Sequence, residues 1–358
     1  MAMKFNGNGT IEGLSLGGLG DSGAVDSGSI ADPLEVHLKS GRKNLIINGN
    51  FDVWQRGTNF VSDEYTADRW KFERSDGAGS VARGTFDAGQ TDVPGSKYYL
   101  SMDCSTGNNN FGIHYAHEYV ESIQNRKVTV SFYAKHNQGN ANPVNLPSEG
   151  IKVRLGLVAV DGTTDTIQTL TPTDTWVKYS FTFGAPTTDG ATIDANSYHQ
   201  LSIFQDSADT GTGSWDINLA QVQMEIGEVA TDFEQRSYGE ELALCQRYFI
   251  KSSGLLFETN NLFPCHKVNA SGSGAIAVAN YDVFRITGLS VMRTTPTLIH
   301  SNFAEITIHL EHGGVLATAT AVPTVSRSGV VTVAHNLTDT TDATQIRFKQ
   351  PIQLDAEL

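Results

Sequence analysis

The feature that most constrains the fold is a two-residue alternation of apolar and polar side chains that recurs in separate segments. In one of them, Val128, Val130 and Phe132 alternate with hydroxyl-bearing residues. The same alternation returns in three further segments, at residues 151–157, 177–183 and 215–219. Side chains two residues apart share one face of a β-strand, so each segment has one buried and one wet face. The pattern predicts two packed antiparallel sheets over residues 42–236.

One of these segments changes phase along its length. Its apolar set ends at Leu219 and resumes at Val222, three residues later instead of two. An extra residue in one strand is what a β-bulge inserts, and it restores the apolar face after the step. We therefore expect a bulge near Ala220 and Gln221.

The period changes again in residues 237–252. Ser237 and Glu240 have the spacing of a helix capping box, in which each side chain binds the other residue's backbone N–H. Apolar residues then recur at helical spacing, at Leu242, Cys245 and Phe249. This pattern predicts one short linker helix. It would pack on a sister chain, under the next domain, or on the preceding sandwich.

The two ends of the chain differ from the middle. Residues 1–41 are rich in glycine and hold only short apolar pieces, which are too few to form a core. They predict an extended segment, either a flexible leader or an attachment segment that becomes ordered against a partner. Residues 253–358 return to strand patterns and predict a smaller C-terminal β domain. Its candidate strands are 281–289, 305–310, 330–334 and 345–349.

Charge and composition exclude several classes of protein. The net charge is −14 and there is no Lys/Arg cluster, which argues against nucleic-acid binding. No apolar run approaches the roughly 18 residues of a membrane span, and the N-terminus lacks the core of a signal peptide. The three cysteines form no Cys-x-x-Cys pair, so we expect free thiols and assembly in a reducing cytoplasm.

Several motifs carry a resemblance to a known family. Residues 44–51 read NLIINGNF, residues 54–57 read WQRG and residues 67–70 read ADRW. The opening motif resembles the first strand of jelly-roll carbohydrate-binding modules, and the two that follow resemble the variant found in bacteriophage tail fibres. The run FEQRSYGEELALCQRY at 233–248 is the most specific match, and LDAEL at 354–358 resembles the end of such fibre proteins.

The resemblance implies a jelly-roll β-sandwich in a homotrimeric fibre of the phage tail, assembled in the host cytoplasm. In that setting residues 1–41 would bind other virion proteins. The sandwich and the C-terminal domain, as the distal tip, would meet a bacterial surface glycan. Two other functions stay open. One is a purely structural head fibre, cement or baseplate component, and the other is a capsule depolymerase. We expect no enzyme activity.

Sugar binding needs aromatic faces beside polar groups. Alternation places Trp176 on the polar side of its segment together with Lys178, and Tyr99 on the wet side of its own. These three residues are therefore the predicted carbohydrate site. The other tryptophans are expected in the core, at positions Trp54, Trp70 and Trp215.

No organic cofactor is indicated. Jelly-roll modules resembling this one often hold a structural calcium ion near their first and last strands, through carboxylate and backbone oxygens. Asp52 and Asp216 stand at those places and are the candidate ligands. The pairs His114/His117 and His309/His312 have a spacing that diverges on strands, so neither pair is expected to share a metal.

Overall fold

The computed structural model describes the backbone of most of the chain. The described residues are 4–5, 11–12, 43–75, 78–105, 110–136, 150–206, 214–251, 262–264, 266–268, 280–285, 292–293, 296–299, 306–309, 315–318, 324–325, 330–335, 345–348 and 353–357. Near the N-terminus, β1 (Lys4–Phe5) pairs antiparallel with β2 (Ile11–Glu12). The remainder of the predicted leader lies outside the described residues.

Twelve strands then build a sandwich. They are β3 (Asn59–Phe60), β4 (Glu64–Tyr65), β5 (Trp70–Glu73), β6 (Gly79–Thr85), β7 (Tyr98–Cys104), β8 (Gly112–His117), β9 (Lys127–Lys135), β10 (Ile151–Ala159), β11 (Gly162–Leu170), β12 (Val177–Gly184), β13 (Tyr198–Phe204) and β14 (Trp215–Ile226). The first sheet has the order β11-β10-β13-β8-β5-β4 and the second has β12-β9-β14-β7-β6-β3. Every pairing is antiparallel, which confirms the predicted mostly-β sandwich.

The core lies between the sheets and is filled by residues that alternation selected, except on β12, where Phe183 is buried but Val177 is exposed. Val128, Val130 and Phe132 are fully buried on β9, as are the apolar sets of β10 and β14. Trp70 is fully buried, and Trp54 and Trp215 are 9% and 2% exposed. The prediction that these three tryptophans are core residues is confirmed.

The predicted bulge is present. The pairing of β14 with β9 shifts register between Ala220 and Gln223, and Gln221 has φ of +52°. The bulge receives the opening motif, because Val222 N–H donates to the Gly49 carbonyl at 2.8 Å. A Cβ on Gly49 would lie 2.0 Å from the Val222 carbonyl oxygen, so only glycine fits this contact.

The asparagines of the opening motif shape its backbone. Asn48 has φ of +59°, a conformation that asparagine tolerates better than most residues. Its side chain accepts from Val53 N–H at 3.0 Å and donates to the carbonyls of Val53 and Asp68. These bonds close the turn at residues 48–53 and tie it to Asp68, just before β5, so the motif is required by the fold.

Two helices occur in the described residues. The first is α1 (Val120–Ile123), a single turn that the sequence pattern did not predict. The second is α2 (Tyr238–Cys245), which begins with the predicted capping box between Ser237 and Glu240. The expectation that helical spacing extends to Phe249 was wrong: α2 ends at Cys245, and Phe249 opens a strand.

Of the placements left open for α2, the one on the sandwich is observed. Buried Glu241 accepts from Asn48 N–H of the opening motif at 2.5 Å. Cys245 and Cys104 are buried, and neither forms a disulfide among the described residues. Cys265 lies outside the described residues.

The remaining strands form three small antiparallel sheets. They are β15 (Phe249–Lys251), β16 (Leu262–Pro264), β17 (His266–Val268), β18 (Asn280–Arg285), β19 (Thr297–Ile299), β20 (Ile306–His309), β21 (Val315–Thr318), β22 (Thr324–Val325), β23 (Val330–His335), β24 (Gln345–Phe348) and β25 (Gln353–Asp355). Their orders are β15-β25-β19, β16-β24-β20-β21 and β17-β18-β23-β22. The four predicted C-terminal strands correspond to β18, β20, β23 and β24, whereas the domain boundaries stay a prediction.

Candidate functional site

A joint of charged and aromatic residues ties the end of the chain to the start of the sandwich. Arg69 is 1% exposed and forms an ion pair with Glu357. Its guanidinium lies 3.6 Å from the ring centroid of Tyr248, and it donates to the Ala116 carbonyl at 2.7 Å. Glu118 lies 3.4 Å from the same guanidinium. Residues 288 positions apart therefore share one buried contact.

A second arginine repeats this arrangement in the same joint. The Arg56 guanidinium lies 3.5 Å from the ring centroid of Phe249 and 3.2 Å from Asp355. Burial raises the pKa of the Glu357 carboxyl, while Arg69 and Arg56 oppose that shift. The charges of this joint face each other and have little access to solvent, so the joint stabilises the fold and is not a ligand site.

The outward face of the first sheet is different, because Lys71 and Arg154 remain in reach of solvent, although His114 and Ser202 between them are buried. Strand register places Arg154 opposite Ser202, Ser202 opposite His114, and His114 opposite Lys71. A polar row thus crosses four neighbouring strands. The row collects residues from β10, β13, β8 and β5, which are not consecutive in sequence.

Hydrogen bonds hold this row in place. Arg154 donates to Gln200 Oε1 at 2.7 Å and to Ser202 Oγ at 3.1 Å, and Ser202 Oγ lies 2.8 Å from His114 Nδ1. Because Ser202 accepts from Arg154, its own proton is available to His114 Nδ1, which assigns the ring proton to Nε2. Burial lowers the pKa of His114 to about 4, although Glu73 opposes the shift. The imidazole is therefore neutral at pH 7.

Glu73 lies beside this histidine and is ionised. Its carboxylate is 2.6 Å from Lys71 Nζ and 3.5 Å from His114 Nε2. Burial alone would raise the pKa of Glu73, but the hydrogen bond from Lys71, the protonated form of His114 and the charges of Lys71 and Arg154 outweigh it, so the pKa is lowered. A carboxyl group with a lowered pKa accepts hydrogen bonds but is a poor proton donor.

These residues border a groove of about 260 Å³. It is lined by Asp63, Glu73, Arg74, Ser75, Asn110, His114, Arg154 and Phe204. The Arg154 guanidinium lies 5.0 Å from the ring centroid of Phe204 and 3.8 Å from Asp165 on β11. With His114 neutral, the lining holds two cations and two anions. We call this site the charged groove.

A larger cavity of about 400 Å³ lies at the β10–β11 hairpin. It is lined by threonines, glycines and three aspartates, Asp161, Asp165 and Asp189, with no aromatic or basic side chain. A sugar would find neither a ring to stack on nor a mixture of charges there. Despite its smaller volume, the charged groove has the more suitable chemistry.

The residues predicted as a carbohydrate site lie on the outward face of the second sheet. Tyr99 and Trp176 meet with ring centroids 5.5 Å apart, and Phe86 contacts both, at 5.0 and 5.1 Å. We call these three rings the aromatic arch. Lys135 Nζ lies 5.4 Å from the Trp176 ring centroid, and Lys178 Nζ donates to the Thr231 carbonyl at 2.8 Å. Binding by these residues stays a prediction.

The predicted calcium ligands, Asp52 and Asp216, have surroundings that differ from those of a metal site. Asp52 accepts from Asn50 Nδ2 at 3.0 Å, and burial raises the pKa of Asp52. Asp216 pairs with Asp103 on the neighbouring strand. In the part of the chain that the structure describes, no three carboxylate, imidazole or thiol groups cluster as a metal site would require. Calcium binding at Asp52 and Asp216 stays a prediction.

Sequence patterns missed the charged groove for a definable reason. Alternation does place Arg154 on the wet side of its strand, but it cannot say which strands lie next to it. Glu73 and His114 come from segments 40 or more residues away. The one available signal was the run of charged and polar residues on the wet face of β5, at Lys71 and Glu73.

Comparison with known proteins gives little further guidance. No protein-family model and no curated protein matches the chain. Among solved structures, the enzymatically active domain of bacteriophage CBA120 tailspike protein 4 is 12% identical with a TM-score of 0.34. That match covers 51% of this chain and 21% of the tailspike chain.

Two further solved structures have similar values. The CBM22-2 xylan-binding domain from Paenibacillus barcinonensis Xyn10C is 13% identical over 47% of this chain and 99% of its own, with a TM-score of 0.33. A cyclase from Fischerella sp. TAU is 12% identical over 53% of this chain and 100% of its own, with a TM-score of 0.36. Similarities this weak do not support an inference about function. Such an inference has to come from the side chains described above. No helix among the described residues is long and apolar enough to cross a membrane.

Proposed function

We propose that this protein binds a bacterial surface glycan through the charged groove. The observation that carries the proposal is the fixed row Lys71–His114–Ser202–Arg154, with Glu73 beside it. Its ends, Lys71 and Arg154, and the neighbouring Glu73 are accessible to solvent. Sugar hydroxyls donate and accept hydrogen bonds, so they need side chains of both kinds in fixed positions. The row is held by its own hydrogen bonds, which reduces the entropy lost on binding.

The balance of charge favours an uncharged glycan at this groove. Two cations and two anions line it, and His114 adds no charge at neutral pH. A strongly acidic sugar would meet Asp63 and Glu73, in a chain whose net charge is −14. A neutral hexose chain meets no such repulsion, and its hydroxyls match both the guanidinium and the carboxylates.

Binding is a better proposal than catalysis. Glycoside hydrolysis needs one carboxyl group that stays protonated to donate to the leaving oxygen and a second that stays ionised. Glu73 has a lowered pKa because of Lys71, His114 and Arg154, so it suits the second role and not the first. The depolymerase alternative would need a second carboxyl group beside Glu73 that stays protonated.

We further propose that the protein is a homotrimeric component of a phage tail, attached to the particle through residues 1–41. This part of the proposal is supported by the motifs at 44–51, 67–70, 233–248 and 354–358. Three weak sites in one fibre would raise the effective affinity for a repeated surface glycan. A head fibre, cement or baseplate component is the second candidate, and it would have no glycan ligand of its own.

The test compares two variants of one strand on an array of neutral and acidic bacterial glycans. Arg154→Gln removes the groove's central cation, whereas Lys152→Gln makes the same change two residues away on the same face. We expect the wild type and Lys152→Gln to bind neutral glycans and Arg154→Gln to lose binding about tenfold or more, equivalent to about 1.4 kcal/mol. Equal binding by both variants would exclude the groove.

Light scattering of the intact protein tests the assembly, since a monomer would contradict the fibre geometry. No binding of any glycan by a wild-type trimer would favour the structural alternative.

A further inference from the structure

The aromatic arch joins side chains from strands of the second sheet that are not neighbours. Tyr99 is on β7, and Trp176 directly precedes β12, with β14 and β9 between them. Strands lie about 4.8 Å apart, so these two backbones are separated by about 14 Å. Both side chains must lean inward for their rings to meet 5.5 Å apart. The arch therefore lies over the middle of the sheet.

Small and polar residues lie beneath the arch. Ala220 is fully buried although it faces outward, and Asn218, on the same face, is 1% exposed. Neither polar atom of the Asn218 amide has a hydrogen-bond partner among the residues that the structure describes. Tyr99 rests against the neighbouring strand, because a Cβ on Gly84 would lie 2.0 Å from its ring. The three rings are themselves half-buried, so their outer faces remain available.

The arch also has a cationic end. Lys135 Nζ lies over the Trp176 ring, and among the described residues it contacts no carboxylate. Lys178, two residues from Trp176 on the same face of the sheet, is exposed, and among the described residues it donates to one backbone carbonyl, that of Thr231. An ammonium group has three donor hydrogens, so Lys178 keeps two for a ligand. At the opposite end lies Asp87. Burial is the main cause that raises the pKa of Tyr99, and the nearby charge of Asp87 adds to it.

We propose that the arch is a second glycan site and that its ligand is a sugar ring bearing a carboxylate. The C–H face of the sugar would lie on the Trp176 and Tyr99 rings, and its carboxylate would face Lys135 and Lys178. Asp87 would then accept from hydroxyls at the far end. A phosphate or a neutral sugar would use only one of these two features. This proposal does not depend on the charged groove, which lies on the other sheet.

The probe is tetragalacturonate, with its methyl ester as a neutral ligand of the same shape. Binding to the full-length protein is measured by calorimetry and by acrylamide quenching of tryptophan fluorescence. Trp176 is the one tryptophan of four that is not buried, so protection from quenching reports on this site. We expect the acid to bind and protect Trp176, and the ester to bind about tenfold more weakly.

Three variants localise the effect. Lys135→Gln should weaken the acid about tenfold and leave the ester unchanged, whereas Lys152→Gln, on the first sheet, should change neither. Trp176→Ala should weaken both ligands. Gly84→Ala keeps every ring but displaces Tyr99, and it should also weaken both, which preserves the test if Trp176→Ala does not fold.

Three results would overturn the proposal. One is no binding of the acid by the wild type up to about 10 mM. Another is equal binding of acid and ester. The third is a change of oligomeric state in Trp176→Ala without ligand, which would make the arch a contact between copies of the chain. Because Arg154→Gln should retain acid binding in full, failure of the groove and failure of the arch can be told apart.

Discussion

Two arginines of this molecule have the same kinds of partner, an aromatic ring and a carboxylate, but differ in their exposure to solvent. Arg69 stacks on Tyr248 and pairs with Glu357 and Glu118 at 1% exposure. Arg154 stacks on Phe204 and pairs with Asp165, but 22% of its side chain is exposed. The first lies in the joint, where protein groups surround it on all sides. The second borders a groove that is open to solvent.

Burial decides which arginine is structural. An ion pair removed from water is strongly destabilising to break, because one buried charge is left without its partner. A partly exposed pair is worth little, since water replaces a lost partner. The buried charges of the joint therefore hold the chain together, whereas the groove keeps solvent-accessible charges for a ligand. The motifs ADRW and LDAEL meet in the joint, so they are markers of the fold.

Removing Arg69 should give the largest effect. Arg69→Met keeps the length of the side chain but leaves Glu357 buried beside Arg56, 3.7 Å away. We expect a loss of about 3–5 kcal/mol in the free energy of unfolding, measured by urea denaturation. If Arg69→Met loses less than about 1 kcal/mol, the joint is no stronger than a surface pair and the contrast with Arg154 fails.

An intermediate effect on stability is expected from two histidines, one in the charged groove and one near Arg69. His114 lies in the groove and His117 lies near Arg69, and burial is the largest cause that lowers the pKa of each to about 4. Since the unfolded chain takes up protons near pH 6.5, it binds more protons than the folded chain between pH 6.5 and 4. These histidines therefore make stability fall as the pH drops through that range. Asp68, Glu241 and Glu357, whose pKa values are raised by burial, act in the opposite direction.

Titration of individual residues separates these contributions. In NMR spectra, both imidazoles should stay neutral down to about pH 4. Glu73→Gln should lower the pKa of His114 further, because the carboxylate favours the imidazolium, and should leave His117 unchanged. A rise in the pKa of His114, or an equal shift in both histidines, would show that Glu73 does not act on His114 as the groove geometry requires.

The fold was largely predictable from local patterns. The bulge at Ala220 and Gln221 followed from a three-residue step, and the capping box at Ser237 and Glu240 followed from its spacing. Errors arose where the signal was short or was overridden by tertiary contacts. The turn α1 has no side-chain cap, and Phe249 pairs with β25 instead of continuing α2.

The sites were less predictable, because both depend on strand order. Alternation identified Tyr99 and Trp176 as wet residues but could not show that their rings meet above two intervening strands. It also placed Arg154 on a polar face without indicating that His114 and Glu73 lie beside it. The contact between Arg69 and Glu357 spans 288 positions, and no local pattern encodes a contact at that distance.

The smallest stability effect is expected at Arg154, where the contrast with Arg69 becomes most direct. Arg154→Gln retains a donor for Ser202, and water reaches the side chain, so we expect a change of less than about 1 kcal/mol in the free energy of unfolding. The same variant should lose glycan binding. Arg154→Gln is thus expected to affect binding more than stability, whereas Arg69→Met is expected to affect mainly stability. Urea denaturation beside glycan binding measures both quantities on one sample. A large loss of stability in Arg154→Gln would mean that the polar row stabilises the sheet. Its hydrogen bonds would then be structural and would not support a ligand site.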